Sequence, residues 1–141
     1  MLTVQRAGED DAASIRGLLA ELGYPLGPEP AAAALRRVLA DPGHVVLLAV
    51  DGDRALGYVN ANFRLQLHHA GEVATIDELI VSAACRGEGV GARLVEEIVE
   101  IARRRGANVV EVSSNVTREA AHRFYERLGF ERISYKFVLR L

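Results

Sequence analysis

The run CRGEGVGARLVEEIVEIARRRG, residues 85–106, places three glycines in five positions and then continues as helix-forming sequence. Glycine costs roughly 1 kcal/mol per position inside a helix, so Gly87, Gly89 and Gly91 indicate that something approaches this backbone closely. The free amides of a first helical turn and the helix dipole bind anions such as phosphate. Arg86 adds a positive charge beside them. The run therefore predicts a phosphate-binding loop followed by a long helix that ends at Gly106.

Three other interpretations of this loop fit less well. A simple tight turn needs one glycine rather than three. A P-loop requires a Gly-Lys-Ser/Thr sequence, which does not follow here. A dinucleotide-binding loop is a closer rival because Glu111 lies 20 residues after Gly91, but Arg93 and Leu94 stand where that motif ends in glycine.

The rest of the sequence predicts a mixed α/β fold around this loop. Apolar periodicity and turn residues predict the order β-α-α-β-β-β-α-β-α-β. The predicted elements are a strand at 2–6, a helix ending at Gly23, a helix starting near Pro30, a hairpin around 51–53, a strand at 72–81, the helix at 90–105, a strand at 108–114, a helix capped by Thr117 and ended by Gly129, and a last strand or hairpin arm over 130–141.

Length and composition bound the function. We expect one domain over residues 1–141, and a net charge of −2 gives no reason to expect nucleic acid as a partner. No segment has the roughly 18 consecutive apolar residues of a membrane span, and no signal peptide is evident, so we expect a cytoplasmic protein. The single cysteine, Cys85, allows no internal disulfide and has no activating base beside it in sequence, so we interpret it as structural.

Two segments together resemble the GNAT superfamily of N-acetyltransferases. Residues 86–91, Arg-Gly-Glu-Gly-Val-Gly, match its Arg/Gln-x-x-Gly-x-Gly/Ala motif, and SSNVTREAAHRFYERLGFE matches a later segment of the family. The matched segments run from about residue 77 to residue 131. The resemblance implies a central, mostly antiparallel sheet that splays between its fourth and fifth strands, with helices on both faces.

The resemblance also implies acetyl-coenzyme A (acetyl-CoA) as the acetyl donor. By position, the loop would hold its pyrophosphate and the fourth strand would pair with its pantetheine arm, while residues of the last helix and the loop before it would flank the thioester. These expected cofactor contacts are Arg86, Gly87, Glu88, Gly89, Val90, Gly91 and Ala92 in the loop, the backbone of Leu79, Ile80 and Val81, and Asn115, Ala121 and Tyr125.

Acetyl transfer to an amine needs a base, an oxyanion donor and an acid. We expect Tyr125 to protonate the leaving thiolate and a backbone amide such as that of Leu79 to bind the oxyanion. Glu78 is our first choice for the base and Asp77 a second, amine-binding carboxylate. Strand alternation sends these two acids to opposite faces unless a bulge intervenes, and either one could instead pair with an arginine.

Within the superfamily the sequence is similar to the aminoalkylphosphonate N-acetyltransferases, which implies a small primary amine bearing an anionic group. Arg64, His68 and His69 are expected substrate contacts, with Arg118, Arg123 and Lys136 as further cations, although His68-His69 also suits a plain polar turn. We expect no metal. The alternatives are acetylation of a protein N-terminus or lysine and a non-catalytic acyl-CoA-binding regulatory domain. A homodimer is possible through the edge of the final strand.

Overall fold

A computed structural model describes all 141 residues and shows nine helices and strands around one five-stranded sheet. Three short 3-10 turns, at Glu9–Asp11, Leu67–His69 and Ala83–Cys85, join them. The elements are β1 (Leu2–Arg6), α1 (Ala12–Glu21), α2 (Pro28–Ala40), β2 (His44–Asp51), β3 (Arg54–Gln66), β4 (Gly71–Val81), α3 (Val90–Arg105), β5 (Val109–Val112) and α4 (Glu119–Arg127).

The strands lie in the order β1-β2-β3-β4-β5, antiparallel except for the parallel pair β4–β5. The parallel pair follows from the α3 crossover, because two parallel strands need a long connection. The mixed, mostly antiparallel sheet predicted from the sequence is confirmed.

Helices cover both faces of the sheet and form two apolar cores. On one face α3 packs Leu94 and Ile98, each fully buried, against β2, β3 and β4. On the other face α1 and α2 pack Leu18 and Leu35 against Val46, Tyr58 and Ile80. Burial of these side chains is the main stabilising term, at roughly 1.5–3 kcal/mol for each large one.

A bulge in β4 exchanges the two faces along the strand. Asn60 of β3 pairs with Glu78, and the next residue, Ala61, pairs with Ile76, so Asp77 is the extra residue. Ile76 belongs to the α3 core and Ile80 to the α1/α2 core. Residues four apart on a regular strand face the same side, so the bulge turns Glu78 and Ile80 to the α1/α2 face.

Strands β4 and β5 separate immediately beyond the bulge. Their pairing runs only from Val73–Val109 to Ile76–Val112, whereas β4 continues to Val81. The β5-facing backbone edge of residues 77–81 is therefore open. The splay between the fourth and fifth strands, which the resemblance implied, is confirmed.

Three details of the predicted elements are wrong. Residues 131–141 form no strand within the chain, and no backbone hydrogen bond joins them to the sheet. Helix α2 begins at Pro28 rather than at Pro30. Thr117 does not cap α4, because its amide and hydroxyl both donate to Asn115 Oδ1 in a turn before the helix.

No helix of the structure is long and apolar enough to cross a membrane.

Candidate functional site

The glycine-rich loop places a row of backbone amides at the start of α3. Gly87 and Gly89 have φ values of 84° and 82°, in the left-handed region that favours glycine. The first hydrogen bond of the helix runs from the Arg93 amide to the Gly89 carbonyl. The amides of residues 87–92 donate no hydrogen bond within the chain, and the positive end of the α3 dipole adds to them. The loop thus presents an anion site to solvent.

The third glycine of the loop has a packing role. A Cβ on Gly91 would lie 3.2 Å from Phe124 Cζ and 3.4 Å from Val81 Cγ2. Gly91 therefore lets α4 and the end of β4 approach the first turn of α3. Only Gly87 and Gly89 shape the anion loop itself.

The side chain of Cys85 connects the start of the loop to β3. Its side chain is buried, and its Sγ lies 3.5 Å from the Leu56 carbonyl oxygen, to which the thiol donates. Burial raises the pKa of the thiol, and the nearby Glu88 carboxylate adds to this effect. A neutral, enclosed thiol is a poor nucleophile, in agreement with a structural role.

The open edge of β4 runs from the bulge towards the loop. Leu79, Ile80 and Val81 pair with β3 on one side and have no strand on the other. Leu79 and Val81 pack against the α3 core, whereas Ile80 packs against the α1/α2 core. Their side chains hold the strand in place while one row of backbone groups stays free. A ligand lying in the β4–β5 gap can pair with this row as an added strand does.

Glu78 lies at the centre of a chain of hydrogen bonds. Asn60 Nδ2 donates to Glu78 Oε1 at 3.3 Å, and His44 Nδ1 lies 3.2 Å from Asn60 Oδ1. Since Asn60 Oδ1 only accepts, His44 donates from Nδ1. The other ring nitrogen, Nε2, faces Asp41 Oδ2 at 3.9 Å. These contacts orient one oxygen of the Glu78 carboxyl and leave the second without a partner in the chain.

A small apolar cavity of about 120 Å³ lies beside Glu78, between α1, α2 and the sheet. Its lining is mostly aliphatic, with Tyr58, Asn60 and Glu78 as its polar members. The Tyr58 hydroxyl is buried without a hydrogen-bond partner. Burial raises the pKa of this hydroxyl, and the nearby Glu78 carboxyl adds to the shift through its charge and as a hydrogen-bond acceptor, so the hydroxyl remains a donor at neutral pH. An unsatisfied buried donor is costly, and a ligand atom entering the cavity would satisfy it.

Asp77, at the bulge, has different surroundings from Glu78. Asp77 is exposed when the whole residue is considered, yet the loss of water around its carboxyl raises the pKa of that carboxyl. The charges of His44, Arg64 and Lys136 oppose this shift in that order. The structure records no hydrogen bond from another side chain to Asp77. The two acids proposed from the sequence are therefore distinguished by their contacts, which favour Glu78 as the oriented carboxylate.

Tyr125 projects from α4 and is held by other aromatic rings. Its ring meets Phe124 and Phe130 edge to face, with centroids 5.3 and 5.7 Å away. Burial raises the pKa of its hydroxyl, and the charge of Arg118 partly offsets this. Tyr125 is therefore protonated at neutral pH, as a proton donor must be.

Asn115 lies in the turn before α4, and Ala121 lies in the first turn of that helix. The Asn115 side chain accepts from Thr117, and its carbonyl lies 2.8 Å from His122 Nε2. Asn115 thus fixes the turn that leads into α4. Ala121 is half-buried one turn before Tyr125.

The expected substrate contacts are divided between two places. Arg64 lies on the exposed face of β3, where its guanidinium donates to Thr75 Oγ1 at 2.8 Å and to Glu111 Oε1 at 3.4 Å. His68 and His69 lie in the turn before β4, with ring centroids 4.2 Å apart. Six residues of β4 separate this turn from Asp77, or about 20 Å at ~3.3 Å per residue. The structure therefore brings Arg64, but not His68-His69, towards the acids.

Three residues around Glu78 were not predicted from the sequence: His44, Tyr58 and Asn60. Asn60 is the residue that the sequence could have indicated, because it is a polar amide inside the apolar run YVNANF. An asparagine in a central strand is unfavourable unless its polar atoms are satisfied. Its partners come from β2 and β4, which are distant in sequence, so the chain of bonds depends on the sheet register.

Comparisons with known proteins identify the family of this chain. The model of the Acetyltransferase (GNAT) family matches residues 13–130. The aminoalkylphosphonate N-acetyltransferase of Salmonella typhimurium is 35% identical over 73% of this chain and 67% of its own length. The N-alpha-acetyltransferase 30 of Schizosaccharomyces pombe is 35% identical over 66% of this chain and 60% of its own length. The chain thus spans about two thirds of these curated relatives.

A solved structure extends the similarity to the whole chain. A transcriptional regulator from Bacillus halodurans C-125 covers 100% of both chains with 25% identity and a TM-score of 0.94. With the family model covering the anion loop, the open edge of β4 and α4, the chain belongs to the GNAT family of acetyltransferases.

Proposed function

We propose that this chain transfers the acetyl group of acetyl-CoA to the primary amine of a small molecule that also bears an anionic group. The observation that carries the proposal is that β4 carries both the oriented Glu78 carboxyl and the open edge, and leads along the chain to the free amides at the start of α3. GNAT acetyltransferases use acetyl-CoA. The donor supplies a thioester whose carbonyl carbon an amine attacks and whose thiolate leaves.

The residues of the gap fit this donor. The unpaired amides of residues 87–92 and the positive end of α3 suit a pyrophosphate, which is anionic and needs donors. The open edge of β4 along Leu79, Ile80 and Val81 carries the free backbone groups of alternate residues, which suit the amides of a pantetheine arm. We therefore assign the cofactor contacts to these residues. Arg86 adds positive charge at the mouth of the loop, and Glu88 reduces it.

Glu78 acts as the base in this proposal. A free alkylamine has a pKa near 10 and must lose a proton before it attacks. The Asn60 amide holds one Glu78 oxygen, so the other is free to accept the proton, directly or through a water molecule. The aliphatic lining beside it disfavours a charged ammonium, which lowers the cost of this proton transfer.

Tyr125 acts as the acid at the other end of the reaction. Its buried, protonated hydroxyl lies on α4, and Phe124 of the same helix packs against Gly91 of the anion loop. A phenol donates a hydrogen bond or a proton to a departing thiolate. In this proposal a backbone amide at the open edge of β4, such as that of Leu79, binds the developing oxyanion.

Cations around Asp77 support an anionic acceptor. Arg64 and Lys136 are both close enough for their charges to act on the Asp77 carboxyl. Asp77 would hold the ammonium form of the incoming amine, while Arg64 would pair with its anionic group. The similarity to the aminoalkylphosphonate N-acetyltransferase of Salmonella typhimurium points to the same class of acceptor.

A coupled thiol-release assay tests this function. We expect turnover with aminoalkylphosphonates and a lower kcat/KM with plain alkylamines of equal length, which lack the anionic group. Equal kcat/KM for the two would contradict the anionic class. Tight binding of acetyl-CoA without turnover of any amine would contradict the enzyme function and would favour a regulatory acyl-CoA-binding domain.

Acetylation of a protein N-terminus is the second candidate. It is favoured by the similarity to N-alpha-acetyltransferase 30 of Schizosaccharomyces pombe. Peptides with a free α-amine in the same assay separate the two candidates. Turnover confined to peptides would replace the small-molecule assignment.

A further inference from the structure

His44 is the first residue of β2 and the outer member of the chain of hydrogen bonds that ends at Glu78. Its Nδ1 lies 3.2 Å from Asn60 Oδ1, and the Asn60 amide donates to Glu78 on the neighbouring strand. Only 18% of the His44 side chain is accessible, and Asn60 is 8% exposed. A side-chain amide enclosed in a central strand is costly unless both of its ends are satisfied. His44 and Glu78 satisfy one end each.

The turn before β2 holds the His44 ring in place. The Gly43 carbonyl accepts from the Phe63 amide at 2.6 Å, and the Gly43 amide donates to Asp41 Oδ1 at 2.8 Å. The backbone amide of His44 donates to the Asp41 carbonyl at 3.0 Å. A Cβ on Gly43 would lie 3.1 Å from the Phe63 carbonyl oxygen, so glycine lets this turn lie directly against β3. The imidazole therefore starts from a backbone that is tied to the sheet.

The Nδ1 atom of His44 carries a proton in both charge states of the ring. Nε2 lies 3.9 Å from Asp41 Oδ2, which is beyond hydrogen-bond distance. Nδ1 faces the oxygen of Asn60, which can only accept. A neutral ring therefore places its single proton on Nδ1, and a charged ring has a proton on each nitrogen. The hydrogen bond to Asn60 is present in either state.

Only one orientation of the Asn60 amide satisfies both of its neighbours. If the amide were rotated by half a turn, its NH2 group would face the N–H of His44 and its oxygen would face the Glu78 carboxylate. Both contacts would then be repulsive, because a donor would meet a donor and an acceptor an acceptor. The terminal torsion of asparagine is broad and roughly two-fold. The choice between the two orientations therefore depends on the groups at either end.

A second donor competes for the oxygen of Asn60. The Tyr58 hydroxyl is buried without a partner and lines the same cavity as Asn60 and Glu78. Without the His44 donor, the Asn60 oxygen would gain a hydrogen bond by turning towards Tyr58, and the Asn60 amide would leave Glu78. His44 thus keeps Asn60 on Glu78 and leaves the Tyr58 hydroxyl free to meet a ligand.

We propose that His44 is a positioning residue, whose Nδ1 proton fixes the Asn60 amide so that this amide holds the Glu78 carboxyl in place to accept a proton. The inference rests on the proposed function of Glu78 as the base. His44 transfers no proton itself, since the proton of the amine goes to the Glu78 oxygen that Asn60 leaves free. A carboxyl that is already oriented does not have to reorganise when the amine arrives.

Two substitutions of His44 separate its donor from its bulk. His44→Asn places an amide nitrogen as many bonds from the backbone as Nδ1, whereas His44→Leu fills the site and donates nothing. We expect kcat to fall by about 10-fold or more in His44→Leu, as for a displaced catalytic group, and to be largely restored in His44→Asn. The KM for acetyl-CoA should not change in either variant. Asp41→Asn, which removes only the charge facing Nε2, is the control and should keep the wild-type kcat.

The Glu78→Gln background shows whether His44 acts through Glu78. If it does, adding His44→Leu to Glu78→Gln lowers kcat no further, because the group that His44 positions is already lost. A role of His44 in general packing would instead give losses that add. Additive losses would overturn the proposal, and so would equal losses of kcat in His44→Asn and His44→Leu.

NMR of isotope-labelled protein tests the contact without any turnover. In alkaline buffer, where imidazole is neutral, His44 should carry its proton on Nδ1. The side-chain amide of Asn60 should exchange slowly with solvent in the wild type and faster in His44→Leu. A proton on Nε2, or equal exchange in the two proteins, would overturn the proposal.

The two experiments also distinguish this inference from the proposed function. An absence of turnover with every amine would contradict the proposed function, while the NMR result would still decide whether His44 holds Asn60. If His44→Leu loses its circular dichroism, His44→Val replaces it in each comparison, because valine suits a strand and also lacks a donor.

Discussion

Asn60 and Glu78 lie directly opposite each other on β3 and β4, and the Asn60 amide donates to the Glu78 carboxyl at 3.3 Å. This pairing exists because Asp77 is the extra residue of a bulge. Without the bulge Glu78 would share the face of Ile76, which packs in the α3 core. The same irregularity therefore orients the carboxyl and ends the pairing of β4 with β5.

The contacts of the two acids predict different effects of removing each charge. Glu78→Gln keeps the shape of the side chain but removes the base, so kcat/KM should fall by roughly 10²–10⁴-fold. Asp77→Asn should change mainly KM for the amine. Steady-state kinetics on both variants, with acetyl-CoA affinity measured by calorimetry, decide the assignment. A larger loss of kcat in Asp77→Asn would exchange the two roles.

Tyr125→Phe should separate chemistry from binding. The ring contacts with Phe124 and Phe130 remain, so the fold and the affinity for acetyl-CoA should be kept. Loss of the hydroxyl should lower kcat by about 10²-fold, the scale of a general acid. The thiol-release assay measures this, and Tyr24→Phe, on an exposed ring, is the matched control. Unchanged turnover would remove Tyr125 as the acid.

Gly89→Val tests whether the loop binds the pyrophosphate, and valine at Gly106 controls for backbone strain alone. Gly89 and Gly106 have similar positive φ values, 82° and 76°, and a Cβ would contact nothing at either position. Valine at either site should cost about 1–2 kcal/mol of stability, the penalty for a left-handed conformation. Only Gly89→Val should also weaken acetyl-CoA binding, because only strain at Gly89 displaces the free amides at the start of α3. Equal affinities in the two variants, measured by calorimetry, would contradict the pyrophosphate assignment.

The local parts of this site could be predicted from the sequence, and the parts built by register could not. The loop at Gly87 and Gly89 and the helix that follows it are consecutive residues, so their pattern is visible in the chain. The neighbours of Glu78 depend on β2, β3 and β4 aligning with a bulge at Asp77. Periodicity does not report such an alignment.

Residues 131–141 show a different limit of the sequence. Their alternation predicts a strand, and the single chain does not form one. Alternation is typical of a half-buried strand, but it does not report whether a neighbouring strand is available for pairing. His68-His69 is the converse case, since proximity in sequence to β4 does not place it near the acids at the far end of that strand.

The raised pKa of Asp77 predicts that its charge destabilises the folded chain at neutral pH. The folded state binds this proton more tightly than the unfolded state, whose Asp pKa is about 3.9. The free energy of unfolding therefore falls as pH rises through the unfolded and then the folded pKa. Asp77→Asn should be more stable than the wild type at pH values above both pKa values, and the difference should vanish below both.

Glu72→Gln provides the control of opposite sign. Arg105 donates to both Glu72 oxygens, at 3.1 and 2.8 Å, and lowers the pKa of that carboxyl. Its charge stabilises the fold above the unfolded Glu pKa, and this contribution is lost as pH falls through the folded pKa. Glu72→Gln should therefore be less stable than the wild type at neutral pH, with the difference again vanishing in acid. Urea unfolding of both variants across this range measures the two slopes, and the same sign for both would refute the surroundings assigned to Asp77.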